Sequence, residues 1–182
     1  MFIQTEQTPN PATLKFLPGR VVMASGTADF PTADSAKRSP LAERLFGVAG
    51  VAGVFLGADF VTVTKAGDQD WHVLKPAILG VIMEHFTAGR PVIDEHALEA
   101  ESTEDDDEVV AQIRDLIETR VRPAVAQDGG DITFQRFEDG IVYLHMRGAC
   151  AGCPSSTATL KAGIENMLRH YVPEVVEVRA SQ

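Results

Sequence analysis

The 182 residues allow one or two domains, and with 45% apolar residues there is enough material for a packed core. A formal net charge of −10 argues against a nucleic-acid surface, which needs clustered Lys and Arg to displace counterions from phosphate, and against an anionic membrane surface. No apolar run approaches the roughly 20 residues of a membrane span, and the longest apolar stretch, Gly47–Leu56, is interrupted by Gly50 and Gly53.

In chain order, Leu14–Leu17 and Arg20–Met23 flank Pro18-Gly19 and are expected to form a hairpin. Ser39 before Pro40, Leu41, Leu45 and Phe46 marks a helix start, with Ser as cap and Pro at the first position. Val51–Leu56 and Phe60–Thr64 are β-branched runs around a glycine turn and predict a second strand pair. Leu74, Ile78, Ile82 and Phe86 recur at helical spacing over Leu74–Thr87, and Gly89 stops that helix. From Asp94 to Glu108 there are nine acidic residues and no Lys or Arg. Such a segment lacks the apolar surface to offset ordering, so residues 93–106 are expected to be a flexible, self-repelling linker.

Beyond it, Val109, Ile113, Leu116, Ile117, Val121 and Val125 share one helical face, and Pro123 should kink that helix. Ile132–Phe137 and Ile141–Met146 form a hairpin through Glu138-Asp139-Gly140. A helix from about Pro154 to Tyr171 and a short strand Val175–Val178 close the chain. The fold class is therefore α/β (α+β): a domain at residues 1–92, the acidic linker at 93–106 and a domain at 107–182, each a short sheet with packed helices.

The only two cysteines, Cys150 and Cys153, sit three positions apart, unlike the dispersed cysteines of a secreted disulfide scaffold. Gly148 and Gly152 let the backbone curl around a bound object. Pro154 suits the first turn of a helix, which sets Cys153 near its N-cap, where the dipole and backbone N–H groups favour thiolate. Ser155 and Ser156 add donors toward sulfur. An iron–sulfur cluster or a common zinc site takes four cysteines, so a complete site needs two chains, met across a two-fold axis. A thioredoxin-type dithiol–disulfide oxidoreductase uses the same CxxC chemistry. Zinc would also need histidines, and neither His145 nor His170 has finger spacing. Inert buried thiols are a third reading. His72, His85 and His96 read as surface residues, and Asp128 and Asp131 as turn-forming or capping groups. Gly129-Gly130 lacks the Lys and Ser/Thr of a phosphate loop.

The residues Gln127–Gly130, the following strand pair, and Gly148-Ala149-Cys150-Ala151-Gly152-Cys153-Pro154-Ser155-Ser156-Thr157 with Leu160 and Gly163-Ile164-Glu165 resemble the C-terminal domain of NifU. Thr5-Glu6-Gln7-Thr8-Pro9-Asn10-Pro11-Ala12-Thr13-Leu14-Lys15-Phe16 resembles the opening of the Nfu N-terminal domain. The resemblance implies a non-enzymatic iron–sulfur scaffold or carrier, with Cys150 and Cys153 as iron ligands of a [4Fe–4S] cluster, or a [2Fe–2S] cluster, shared by two subunits. It implies apo iron–sulfur proteins as acceptors, an upstream assembly scaffold as donor and a homodimer when the cluster is bound. Neither nucleic acid nor membrane is an expected partner. The first domain, which has no cysteine, is expected to be an interaction module that selects acceptors, with Thr8-Pro9-Asn10-Pro11 as a recognition loop or a rigid turn. Residues 1–20 lack a signal-peptide pattern, so the expected setting is cytoplasmic, or mitochondrial if a presequence has been removed.

Overall fold

The computed structural model describes residues 2–94, 107–151 and 157–181, the side chains of 157 and 158 excepted. Its first unit is a five-stranded antiparallel sheet built from β1 (Gln4–Gln7), β2 (Thr13–Leu17), β3 (Ala28–Phe30), β4 (Val51–Leu56) and β5 (Val61–Lys65), in the order β1-β2-β5-β4-β3. Side chains alternate across such a sheet. Leu14, Phe16, Phe30, Val54, Leu56, Val61 and Val63 point to one core, which is closed by α1 (Pro40–Phe46) and α2 (Trp71–Thr87). Ser39 caps α1 as expected, accepting from the Ala42 N–H at 3.1 Å. Asp70 caps α2, accepting from the His72 N–H at 2.9 Å.

The expected hairpin after Leu17 does not form. β2 is hydrogen-bonded on one edge by β1 and on the other by β5, so the chain beyond Gly19 finds no open edge. Val22 and Met23 instead donate their N–H groups to the Ala58 carbonyl at 2.8 and 3.2 Å, and both side chains sink into the core. The true partner, β1, is the polar and largely exposed segment QTEQ, which gives no apolar alternation to read. His85 is a second departure: it is fully buried rather than at the surface. It lies beside Phe86 at the end of α2, where the chain folds back over it, and its Nε2 lies 3.1 Å from the Pro91 carbonyl. Ser39 fastens that return by donating to the Val92 carbonyl at 2.5 Å. Burial pushes the His85 pKa below its usual value, against the opposing pull of the Pro91 hydrogen bond.

The second unit begins with α3 (Glu108–Leu116) and α4 (Arg122–Gln127), with Ile113, Leu116, Ile117, Val121 and Val125 buried. The irregularity in this helical stretch lies before Pro123, the residue expected to kink it. Over Ile117–Val121 the ladder widens into a π-turn, and the Arg122 N–H reaches the Ile117 carbonyl. β6 (Gly130–Glu138) and β7 (Ile141–Gly148) form the expected hairpin. Asp139 (φ 53°) and Gly140 (φ 78°) supply the two left-handed positions of a two-residue turn. α5 is described over Thr157–Tyr171, and the expected start at Pro154 lies outside the described residues. The last strand, β8 (Glu177–Ser181), runs parallel to β7 and starts two residues later than expected, because Val175 is used as core. Of the expected linker only Ile93 and Asp94 are described.

The second face of the first sheet is not left to solvent. Lys15, Asp29, Phe55 and Thr62 alternate with the core residues, and the second unit covers them. Lys15 Nζ donates to the Ala126 and Gln127 carbonyls, each at 3.2 Å, at the C-terminal end of α4 where a cation is favourable. Thr27 Oγ1 donates to Asp131 at 2.6 Å, and Arg122 grips the same carboxylate through Nε and a terminal nitrogen at 2.8 and 2.9 Å. Asp131 is 2% exposed, so it is a buried pairing residue rather than the turn or cap expected of it. Burial alone would lower the Arg122 pKa, but Asp131 and Glu118 raise it above its ordinary value.

Removing one partner of a buried pair leaves an uncompensated charge, so Arg122→Ala should destabilise the chain by about 3 kcal/mol in chemical denaturation. Glu118→Ala, on the half-exposed arm, should cost less than about 1 kcal/mol, and equal losses would contradict this reading of the pair. The unfolded chain protonates His85 near its ordinary pKa of 6.5 whereas the folded chain resists, so stability should fall as pH drops through that value. His85→Gln should flatten this slope in denaturation midpoints taken at about pH 7.5 and about pH 5.5; an unchanged slope would assign it to other groups.

Candidate metal centre

The CxxC loop leaves β7 at Gly148, whose φ of 61° turns the chain sharply. The Ala151 N–H closes back on the Gly148 carbonyl at 3.1 Å, and the Ala149 N–H donates to the Gly129 carbonyl at 3.2 Å. These bonds hold Cys150 against the head of β6. A Cβ on Gly130 would collide with Cys150 Sγ and come within 2.8 Å of the Cys150 nitrogen, so the bare glycine is the cradle of the thiol. At Gly148 an added Cβ would meet the Gly129 carbonyl at 2.8 Å and the Phe55 ring at 3.0 Å. Cys150 itself is 6% exposed. Cys153, Pro154, Ser155 and Ser156 lie outside the described residues, as does the expected helix start beside Cys153.

Thr8-Pro9-Asn10-Pro11 lies directly on this loop. The Asn10 side chain is 5% exposed. Its Oδ1 accepts from the Ala12 N–H at 3.0 Å, which fixes the rotamer, while Nδ2 donates to the Ala149 and Ala151 carbonyls, both at 3.3 Å. Those are the residues on either side of Cys150. Thr62 Oγ1 donates to the Gly129 carbonyl at 2.7 Å. The Asp29 carboxyl lies near this loop, its pKa raised by burial and pulled back by Arg147, His145 and Arg38. Pro9 and Cys150 together line a cavity of about 210 Å³ with Val125 and Leu160.

The zinc reading is not supported by position. His145 faces a different cleft, of about 480 Å³, between the two units, with Asp29, Arg38, Arg114 and Arg147. His170 stacks edge-on against Tyr171 at the exposed end of α5. Among the described residues no group of three or more His, Cys, Asp or Glu is arranged to hold a metal ion. Asp128 lines the Cys150 cavity, while Asp131 belongs to the Arg122 pair, so the two do not act as one carboxylate site. His96 lies outside the described residues.

Sequence reasoning missed that Asn10, Asp29, Lys15 and Thr62 converge on the CxxC neighbourhood. One signal was present: Phe55 is a large apolar residue on the sheet face opposite Val54 and Leu56. A face that must meet only water has no use for it.

Residues 3–89 match the family model described as scaffold protein Nfu/NifU N terminal, and residues 113–179 match the NifU-like domain. A human protein named NFU1 iron-sulfur cluster scaffold homolog, mitochondrial, is 54% identical over 177 residues, covering 96% of this chain and 70% of that protein. The Arabidopsis thaliana NifU-like protein 5, mitochondrial, is 56% identical over 181 residues, covering 96% of this chain and 66% of that protein. The solution structure of a NifU-like protein from Saccharomyces cerevisiae aligns at TM-score 0.48 and 28% identity, over 52% of this chain and 86% of that one. With both domain models matched in order and more than half of the residues shared with proteins of that kind, the chain belongs to the Nfu/NifU family of iron–sulfur cluster scaffold proteins.

Proposed function

We propose that two copies of this chain hold one iron–sulfur cluster between them, with Cys150 and Cys153 of each as the four ligands, and hand it to apo-proteins. The observation that carries this reading is the ligand deficit: the chain has two cysteines where a cluster takes four. The Gly130 cradle supports it, because a thiol backed by bare backbone leaves its outer side for iron. The family resemblance favours [4Fe–4S] as the cargo; four thiolates would also complete a [2Fe–2S] cluster, and the iron count per pair of chains separates the two. The division into residues 1–92, 93–106 and 107–182 belongs to the same proposal.

Release is ligand exchange. Acceptor thiols replace Cys150 and Cys153 on iron one at a time, and the proton each gives up on binding passes to the departing cysteine sulfur. No electron is gained or lost, and the chain turns over no substrate of its own. A site held by short loops at a junction of two chains suits such hand-over better than storage. An upstream assembly scaffold supplies the cluster. The relatives named above are mitochondrial proteins, which supports a mitochondrial setting rather than the cytoplasmic one expected from the sequence.

Anaerobic reconstitution with iron and sulfide should give about four irons per pair of chains, and mixing with an apo [4Fe–4S] enzyme should restore that enzyme's activity. Cys150→Ala and Cys153→Ala should each remove both properties. Retention of iron by either variant at the level of the unaltered chain would end this reading; disulfide turnover without iron would move it to the oxidoreductase.

A further inference from the structure

The first domain also grips the CxxC loop itself. Asn10 holds the carbonyls before and after Cys150, and Thr62 fixes the Gly129 carbonyl to which Ala149 donates. Every described residue of the loop from Gly148 to Ala151 is thus tied, directly or through a neighbour, to the first domain. Pro9 stands beside the thiol in the same cavity. Cys150 is 6% exposed in this arrangement, packed on the second domain's core with Pro9 of the first domain across the cavity from it. The grip is also built to open. Nδ2 of Asn10 sits at 3.3 Å from both carbonyls, on the long side of a normal hydrogen bond, and the contact is polar, so water can take its place.

We propose that the first domain is an intramolecular cap on the ligand loop, held by Asn10 and Thr62, and that it competes with the second copy of the chain for the face that carries Cys150. The cap rests on the proposed cluster-holding role only in its second half; the shielding of the thiol stands apart from it. Capped, the chain keeps its Cys150 thiol from oxidants and stray metal. Uncapped, it presents the loop to a second chain. Asn10 is a positioning residue in this scheme: it never touches the cluster and acts through the loop backbone.

Two full-length variants test the cap. Asn10→Asp keeps the Oδ1 acceptor that the Ala12 N–H needs but sets a carboxylate oxygen against the Ala149 and Ala151 carbonyls. Thr62→Val keeps the shape and removes the donor to Gly129. In a Cys153→Ser background, where one thiol reports, iodoacetamide should alkylate Cys150 in the iron-free chain about tenfold faster in either variant, the factor expected for losing one buried hydrogen bond. Circular dichroism identifies a variant that has lost its fold, in which case the other variant decides. With both cysteines present, the variants should also assemble the cluster-bearing dimer faster than the unaltered chain. Unchanged alkylation in a folded variant overturns the cap, and faster alkylation with unchanged dimer assembly overturns the competition. If no chain assembles a cluster at all, the cluster-holding role fails, and the alkylation rates still decide the shielding.

Discussion

One oxygen atom sits where every part of this molecule that matters for the site meets. The Gly129 carbonyl accepts from Ala149 N–H in the CxxC loop and from Thr62 Oγ1 in the first domain. The space around it is closed by three glycines. Gly148 brings the loop backbone within reach of that oxygen, Gly130 leaves room for Cys150 Sγ, and Gly129 turns left-handed at φ 78° against Thr8 and Thr62. A methyl group at any of these positions meets backbone or side-chain atoms at 3.1 Å or less. The glycines are therefore a packing requirement.

The same junction explains why the first sheet has two buried faces. One face packs on α1 and α2 through aliphatic and aromatic side chains, as a permanent core does. The other meets the second domain through Lys15, Thr27, Asp29 and Thr62, with the ring pair Phe55 and Phe60 as apolar contributions. Polar contacts exchange readily with water, each contributing on the order of 1 kcal/mol net. The apolar face has no such alternative partner. A domain joined to its neighbour mainly by the polar kind of contact can part from it without unfolding. The buried Asp131–Arg122–Thr27 group is the exception, since Asp131 keeps Arg122 within its own domain if Thr27 leaves. The pair thus survives separation and loses only one hydroxyl.

The elements read correctly from sequence are those whose side chains carry a period. Leu74, Ile78, Ile82 and Phe86 define α2, and Asp139-Gly140 defines its hairpin because few other residues enter the left-handed region twice in succession. Ser39-Pro40 is legible because a cap is a local device. β1 is not legible: it is held by backbone bonds to β2 and shows polar side chains to water. Arg20–Met23 misleads because Val22 and Met23 are apolar for the sake of the core, not of a strand. At the site, the CxxC and its glycines stand out in the sequence, while Asn10 is separated from Ala149 by 139 residues. His85 and Asp131 are ordinary polar letters until the fold buries them. Local chemistry is written in adjacent residues; what a residue faces across a domain boundary is not.

The central claim is that each chain carries half a site. Native mass spectrometry of the anaerobically reconstituted protein weighs that claim directly, because it counts chains and cluster atoms in the same ion. Two chains with one [4Fe–4S] cluster, and no population of one chain with one cluster, is the expected spectrum. A dominant single chain bearing a complete cluster would contradict the account.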